Sequence, residues 1–209
     1  MTARSRAALV IGGTGRIGRL VARALATHGA DVAVHCHAAL PAARALAAEF
    51  GGASLAVTAD LREEGAVRAC LHRVADHFGR LDAVAVCAGR RAATSLEEAT
   101  AGDLRLHYDV NVAGAFVVAQ EAGLVMARQE QGGTIVFVGA GAAPPSPGDV
   151  PYAASRSALT GLARALMADL AALAPRVQVD CVEPATDDPA VAAAAVVARI
   201  TAGWPAGAA

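Results

Sequence analysis

The chain has 209 residues, 55% of them hydrophobic, and a formal net charge of -1. That length defaults to one domain with a core large enough to bury most of its apolar surface. Arginines and carboxylates are interspersed, which argues against the one-signed surface of a nucleic-acid binder or a membrane-surface protein.

Short apolar runs alternate with longer amphipathic stretches. Ala7–Ile11 reads as a strand. Arg4 and Arg6 ahead of it imitate a signal peptide, but an apolar run of about five residues falls short of the roughly seven to fifteen that a signal needs. Arg16–His28 reads as a helix, Asp31–His35 as a strand, and Pro41–Phe50 as a helix with proline in its first turn. Leu55–Ala59 is a strand, Glu63–Phe78 a helix, and Asp82–Cys87 a strand ending in Ala88-Gly89. A long helix follows over Ala101–Gln131. Then come strand Thr134–Val138, helix Pro151–Ala174, strand Val177–Val182 and helix Pro189–Thr201. Gly139–Pro151, rich in Gly, Ala and Pro, is a loop.

Strands alternating with helices imply parallel pairing and right-handed crossovers. The expected architecture is a three-layer α/β fold, a single Rossmann-type doubly wound domain over residues 1–209. Its ligand crevice lies at the carboxyl ends of the strands. No strand-like run follows Thr201, so a six-stranded, C-terminally shortened sheet is expected. No charge-free apolar run reaches bilayer-spanning length, and the four cysteines (Cys36, Cys70, Cys87, Cys181) are too scattered for a metal site. A soluble, cytoplasmic protein with buried thiols is expected.

Gly12-Gly13-Thr14-Gly15-Arg16-Ile17-Gly18 follows the first strand and opens a helix. Within it, Gly13-x-Gly15-x-x-Gly18 fits a dinucleotide turn. One glycine makes the tight turn, the next lets backbone approach a pyrophosphate, and the third lets helix and sheet pack closely. A carboxylate ending the second strand would accept from a ribose 2′-hydroxyl and repel a 2′-phosphate. Cys36 stands there instead. Arg16, His37 and also His35 are candidates to face a phosphate, so NADP is expected ahead of NAD.

Tyr152-Ala-Ala-Ser-Arg156, with Asn111 upstream and the glycine turn before both, resembles the short-chain dehydrogenase/reductase family over about residues 7–202. Arg16 in the turn and His35-x-His37 resemble its pteridine-reductase branch. The same turn also fits the family's extended and atypical members. The resemblance implies that Tyr152 exchanges a proton as hydride moves, and that Asn111 positions a water in the relay. It also implies that Asp60-Leu61 contacts adenine, that Ala88-Gly89 supports the ribose, and that Pro184 with Thr186 lies near the nicotinamide. Three departures stand out. The family's lysine is Arg156, a permanent cation that cannot release a proton. The family's serine, thirteen residues before the tyrosine, is Gly139. The Pro-Gly after the sixth strand is Pro184-Ala185, with little lid behind it.

Three readings follow. The first is an NADP-dependent reductase of a small molecule's carbonyl or imine, with low activity. The second is a cofactor-binding pseudoenzyme. The third is a non-redox cyclase or isomerase on the same fold. A homodimer is expected through Ala101–Gln131 and Pro151–Ala174, with Val112, Ala115, Val118, Ala119, Leu159, Leu162, Ala163 and Leu166 as candidate contacts.

Overall fold

The computed structural model describes residues 5–141 and 144–204. Six strands, β1 (Arg6–Ile11), β2 (Ala30–Cys36), β3 (Leu55–Thr58), β4 (Ala83–Val86), β5 (Gly133–Val138) and β6 (Val177–Val182), form one sheet in the order β3-β2-β1-β4-β5-β6. Every pairing is parallel. The strand order reverses between β1 and β4, so their carboxyl ends splay apart and open a crevice.

Helices α1 (Gly18–Thr27), α2 (Leu40–Phe50) and α7 (Pro189–Thr201) cover one face. The other face carries α3 (Glu64–Phe78), α4 (Ala101–Tyr108), α5 (Gly114–Met126) and α6 (Val150–Leu173). In α1 the buried residues Gly18, Val21, Ala22 and Leu25 recur at helical spacing, which lays one stripe on the sheet. Strands buried on both faces read as continuous apolar runs, such as Ala7–Ile11, because helices cover both sides.

The long helix departs from its expected form at two places. Asp109–Ala113 is a π-helical segment between α4 and α5. Gly114 just beyond it packs against Leu61, whose backbone carbonyl would lie 2.7 Å from an added Cβ. The helix also stops at Met126 rather than Gln131. Gln129 turns its amide onto Leu81 and Gly132, donating at 2.8 and 2.9 Å and accepting from Leu81 N–H at 2.7 Å. Those bonds compete with helix continuation. Ala101–Met126 is long and apolar enough by composition to cross a bilayer, and 56% of its most apolar stretch is buried in the fold.

No strand follows β6 among the described residues. The expectation of no strand beyond Gly203 falls almost wholly on 205–209, outside them.

The contacts expected to build a dimer prove largely internal. Ala115, Val118, Ala119, Leu159, Ala163 and Leu166 belong to the core beneath α5 and α6. Their apolar character reflects packing on the sheet. The large apolar side chains exposed on α4, α5 and α6 are Leu104 and Tyr108, Phe116 and Leu124, and Val150 and Leu173.

Candidate active site

The crevice at the carboxyl ends of β1, β4 and β5 is a cleft of about 810 Å³. It runs from the glycine turn past Asp60 and Ala88 to Tyr152 and Arg156. The turn is built for close approach. Gly12 has φ +76°, and a Cβ there would lie 2.7 Å from the backbone of Ala88. A Cβ on Gly18 would run into the Gly12 carbonyl. Gly15 N–H donates to Gly12 O at 3.0 Å. Within the described residues the N–H groups of Thr14, Arg16 and Ile17 donate to no backbone acceptor, and all three residues line the cleft. Free N–H groups ahead of a helix form an anion cradle. The residues present therefore fit a dinucleotide.

His35 does not face a phosphate. It is 2% exposed and braces the turn from below. Its carbonyl accepts from Gly13 N–H at 2.8 Å, Nδ1 accepts from Gly12 N–H at 3.2 Å, and Nε2 donates to Ala59 O at 3.1 Å. Those partners require the neutral ring, and burial pushes its pKa down to about 4. His37 is exposed beside Asp60, with Nε2 3.7 Å from the carboxylate. Arg16 is also exposed on the turn. Cys36, buried at the end of β2, offers no carboxylate.

Asp60 does not cap α3, whose N-cap is Glu63. Its Oδ1 accepts from the backbone N–H of Arg62 at 3.0 Å, and its carboxylate pairs with the Arg62 guanidinium at 2.5 Å. Those bonds hold its pKa at about 2. Leu61, Ala88 and Gly89 line the cleft beyond it. Burial pushes the Cys87 thiol up to about 12, which removes it as a nucleophile.

Tyr152 and Arg156 share one face of α6, a turn apart. Arg156 is 3% exposed, and its NH1 donates to Ala88 O at 2.9 Å. Its Nε is buried with no partner. Its guanidinium carbon lies 5.9 Å from the centroid of the Tyr152 ring. A second guanidinium, Arg91, stands 5.1 Å over the same ring. Asp149, buried just ahead of α6, grips Arg91 with both oxygens, Nε at 3.1 Å and NH2 at 2.5 Å. Nothing in the chain marks Arg91 for this place, because it depends on how two loops meet. Thr94 N–H donating to Gly148 O at 3.0 Å ties those loops together.

The Asn111 side chain is buried in the π-helical segment and fully engaged. Oδ1 accepts from Arg90 N–H at 2.6 Å, and Nδ2 donates to Arg90 O at 3.0 Å and to Ser155 Oγ at 2.8 Å. Ser155 in turn donates to Tyr152 O at 2.7 Å. Asn111 thus reaches the Tyr152 backbone through Ser155, a residue that motif reasoning passed over although it lies within Tyr152–Arg156. Pro184 and Thr186 line the far wall. Ser146 is exposed and does not line the cleft, so it does not replace the missing serine. Among the described residues no cluster of His, Cys, Asp and Glu forms a metal site.

With this geometry in view, the family model for short chain dehydrogenases matches residues 6–197. The chain belongs to the short-chain dehydrogenase family. A short-chain dehydrogenase of Aspergillus ruber, fogB, is 30% identical over 87% of this chain and 74% of its own length. A dehydrogenase/reductase from Sinorhizobium meliloti superposes with a TM-score of 0.84 at 28% identity, covering 97% of this chain and 91% of that one. A short chain dehydrogenase from Burkholderia cenocepacia, solved in complex with NADP, gives 0.82 at 31% identity, with the same coverages. This short-chain dehydrogenase has the family's three-layer α/β fold with a parallel six-stranded sheet.

Proposed function

We propose that this family member is an NADP-dependent reductase of a carbonyl or imine on a small molecule, with low activity. The carrying observation is the Tyr152 ring flanked by two guanidinium groups, at 5.1 and 5.9 Å, in the cleft that begins at the glycine turn. The bound nicotinamide supplies the hydride. Gly12, Gly13, Gly15, Ile17 and Gly18 would hold its pyrophosphate. Asp60 and Leu61 would hold the adenine, Ala88, Gly89 and Arg156 the nicotinamide ribose, and Pro184 the far wall. Arg16 and His37, both exposed beside the turn, supply the cationic and polar contacts for a 2′-phosphate. The B. cenocepacia neighbour in its NADP complex supports that choice.

Tyr152 gives its phenolic proton to the reduced oxygen. Arg91 and Arg156 are the two cations beside its ring. Asn111 and Ser155 fix the backbone on either side of the phenol. Low activity follows from Gly139, because no side-chain donor stands where negative charge develops on a carbonyl oxygen. The same feature favours a second reading, a cofactor-binding pseudoenzyme.

A homodimer is part of this reading, through the exposed Leu104, Tyr108, Phe116 and Leu124 of α4 and α5. Light scattering at micromolar protein tests it, and a monomeric mass would defeat it. Single-turnover NADPH oxidation against diketones, quinones and pterins tests the chemistry. Loss of carbonyl reduction in Tyr152→Phe with NADPH affinity retained is expected. Equal rates in parent and variant on every carbonyl would remove Tyr152 as the acid.

A further inference from the structure

Arg91 is gripped along one edge of its guanidinium and left open along the other. Nε and NH2 donate to the two oxygens of Asp149, which fills the side edge of the plane. A guanidinium carries five N–H donors in a fixed fork. The end edge, made by NH1 and the second hydrogen of NH2, has no partner among the described residues. Asp149 is buried, whereas half of the Arg91 side chain is exposed. Arg91 lines the cleft together with Tyr152, and its guanidinium carbon stands 5.1 Å from the centre of that ring. A group held on the free edge lies beside Tyr152. Arg90 adds a second cation to the same wall. Asn111 clamps its backbone at both N–H and C=O. Arg90 lines the cleft, is exposed, and forms no ion pair among the described residues.

We propose that Arg91 is a specificity-determining residue that selects carbonyl substrates bearing a carboxylate, with Arg90 as its auxiliary cation. The proposal rests on the reductase reading above. A carboxylate is planar and offers two acceptor oxygens, so it fits the free edge as a second bidentate pair. Asp149 fixes the guanidinium plane before substrate arrives, which lowers the ordering cost of binding. Leu106 and Val110 also line the cleft and suit the hydrocarbon part of such a substrate. The acids around the two arginines are Asp149, Asp187 and Asp188. Asp149 is spent on the inner edge. Asp188 accepts from Ala190 N–H as the cap of α7. Asp187 lines the cleft without an ion pair among the described residues, and its charge acts on Arg91. It is the group with which a substrate carboxylate competes.

The anchor also bears on Gly139, where no side-chain donor meets the carbonyl oxygen. A contact remote from the reacting carbon supplies binding energy that positions the carbonyl against Tyr152. The carbonyl carbon accepts a hydride from the reduced nicotinamide dinucleotide, and the C=O π pair passes to oxygen. That oxygen takes the Tyr152 proton, giving a hydroxy acid and the oxidised dinucleotide. A solvent proton restores Tyr152, and the carboxylate is unchanged.

The test compares 4-oxopentanoate with its methyl ester in NADPH oxidation by the full chain. The ester keeps the ketone and removes the charge. Arg91→Gln should lower kcat/KM for the acid about 10- to 100-fold more than for the ester, the worth of a charge-assisted pair. The ester arm absorbs any loss at Tyr152 common to both. Arg91→Lys, a point charge without the fork, should restore part of the preference. Arg90→Gln leaves Asp149 paired and should also weaken the acid more than the ester. Asp187→Asn should raise kcat/KM for the acid more than for the ester. Thermal melts check that each variant folds. Titration of benzoate onto NADP-loaded protein, followed by NMR of the ligand, supplies a readout without turnover. Benzoate should bind about tenfold more weakly to Arg91→Gln, with neutral benzamide indifferent. Equal losses for acid and ester in both Arg91→Gln and Arg90→Gln, with benzoate binding unchanged, would overturn the proposal. Arg91-dependent benzoate binding without NADPH oxidation on any substrate would defeat the reductase reading and leave the carboxylate site standing.

Discussion

Gly89 makes the room in which Arg156 lies: a Cβ on Gly89 would sit 2.8 Å from NH1 of the guanidinium. A buried cation crosses the cleft floor against bare backbone, bonded to Ala88 O and with Nε unpartnered. Its neighbours are the Tyr152 ring and the thiol of Cys87. Such a group costs stability and persists for function.

Arg156→Met should therefore stabilise the apo protein by about 1–2 kcal/mol, by removing an orphaned donor and a buried charge. The same change should abolish carbonyl reduction. Urea unfolding and single-turnover assays check the two halves. A destabilised variant would show that the Ala88 bond outweighs the burial.

His35 makes stability fall in acid. Its folded pKa of about 4 lies below the unfolded value near 6.5, so protons bind preferentially to the unfolded chain. The contribution of the neutral ring is complete above pH 6.5 and is lost as pH falls towards 4, about 3 kcal/mol in all. His35→Gln should flatten that part of the profile, read by urea midpoints between pH 4 and 7.5. An unchanged slope would assign the acid sensitivity to other groups.

Arg16→Ala should weaken NADPH by about 10- to 100-fold and NADH much less, since only NADPH offers a 2′-phosphate to a charge-assisted bond. Calorimetric titration with both cofactors decides it. Equal losses would show that Arg16 does not read that phosphate.

Arg91→Ala should lower kcat for carbonyl reduction with little change in NADPH affinity. Asp149→Asn should reproduce part of that loss by releasing the guanidinium from its bidentate grip. Partial recovery in Arg91→Lys would mark charge over Tyr152 as the active element. If all three variants keep the parent's kcat, the stacked arginine has no part in the chemistry.

Local signals carried much of this protein. Apolar runs located the inner strands such as β1 and β4, because strands covered by helices on both faces are largely apolar, whereas the edge strands β3 and β6 carry the exposed Thr58 and Gln178. The spacing of Val21, Ala22 and Leu25 located α1. The glycine turn was legible because much of its constraint is internal: Gly15 and Gly18 both meet the Gly12 carbonyl within seven residues. Tyr152 and Arg156 were legible because one helical turn places them together. Contacts between distant segments were decided only by the fold. Glu183 reaches Gly139 from the neighbouring strand end, Arg91 reaches Tyr152 through a buried Asp149, and His35 turns inward to hold Gly12. The sequence also made α5 and α6 look doubly buried, where tertiary packing spends Val118 and Leu159 on the core and leaves Phe116 and Leu124 outside. Periodicity records that a face is apolar, but which surface covers it depends on long-range packing.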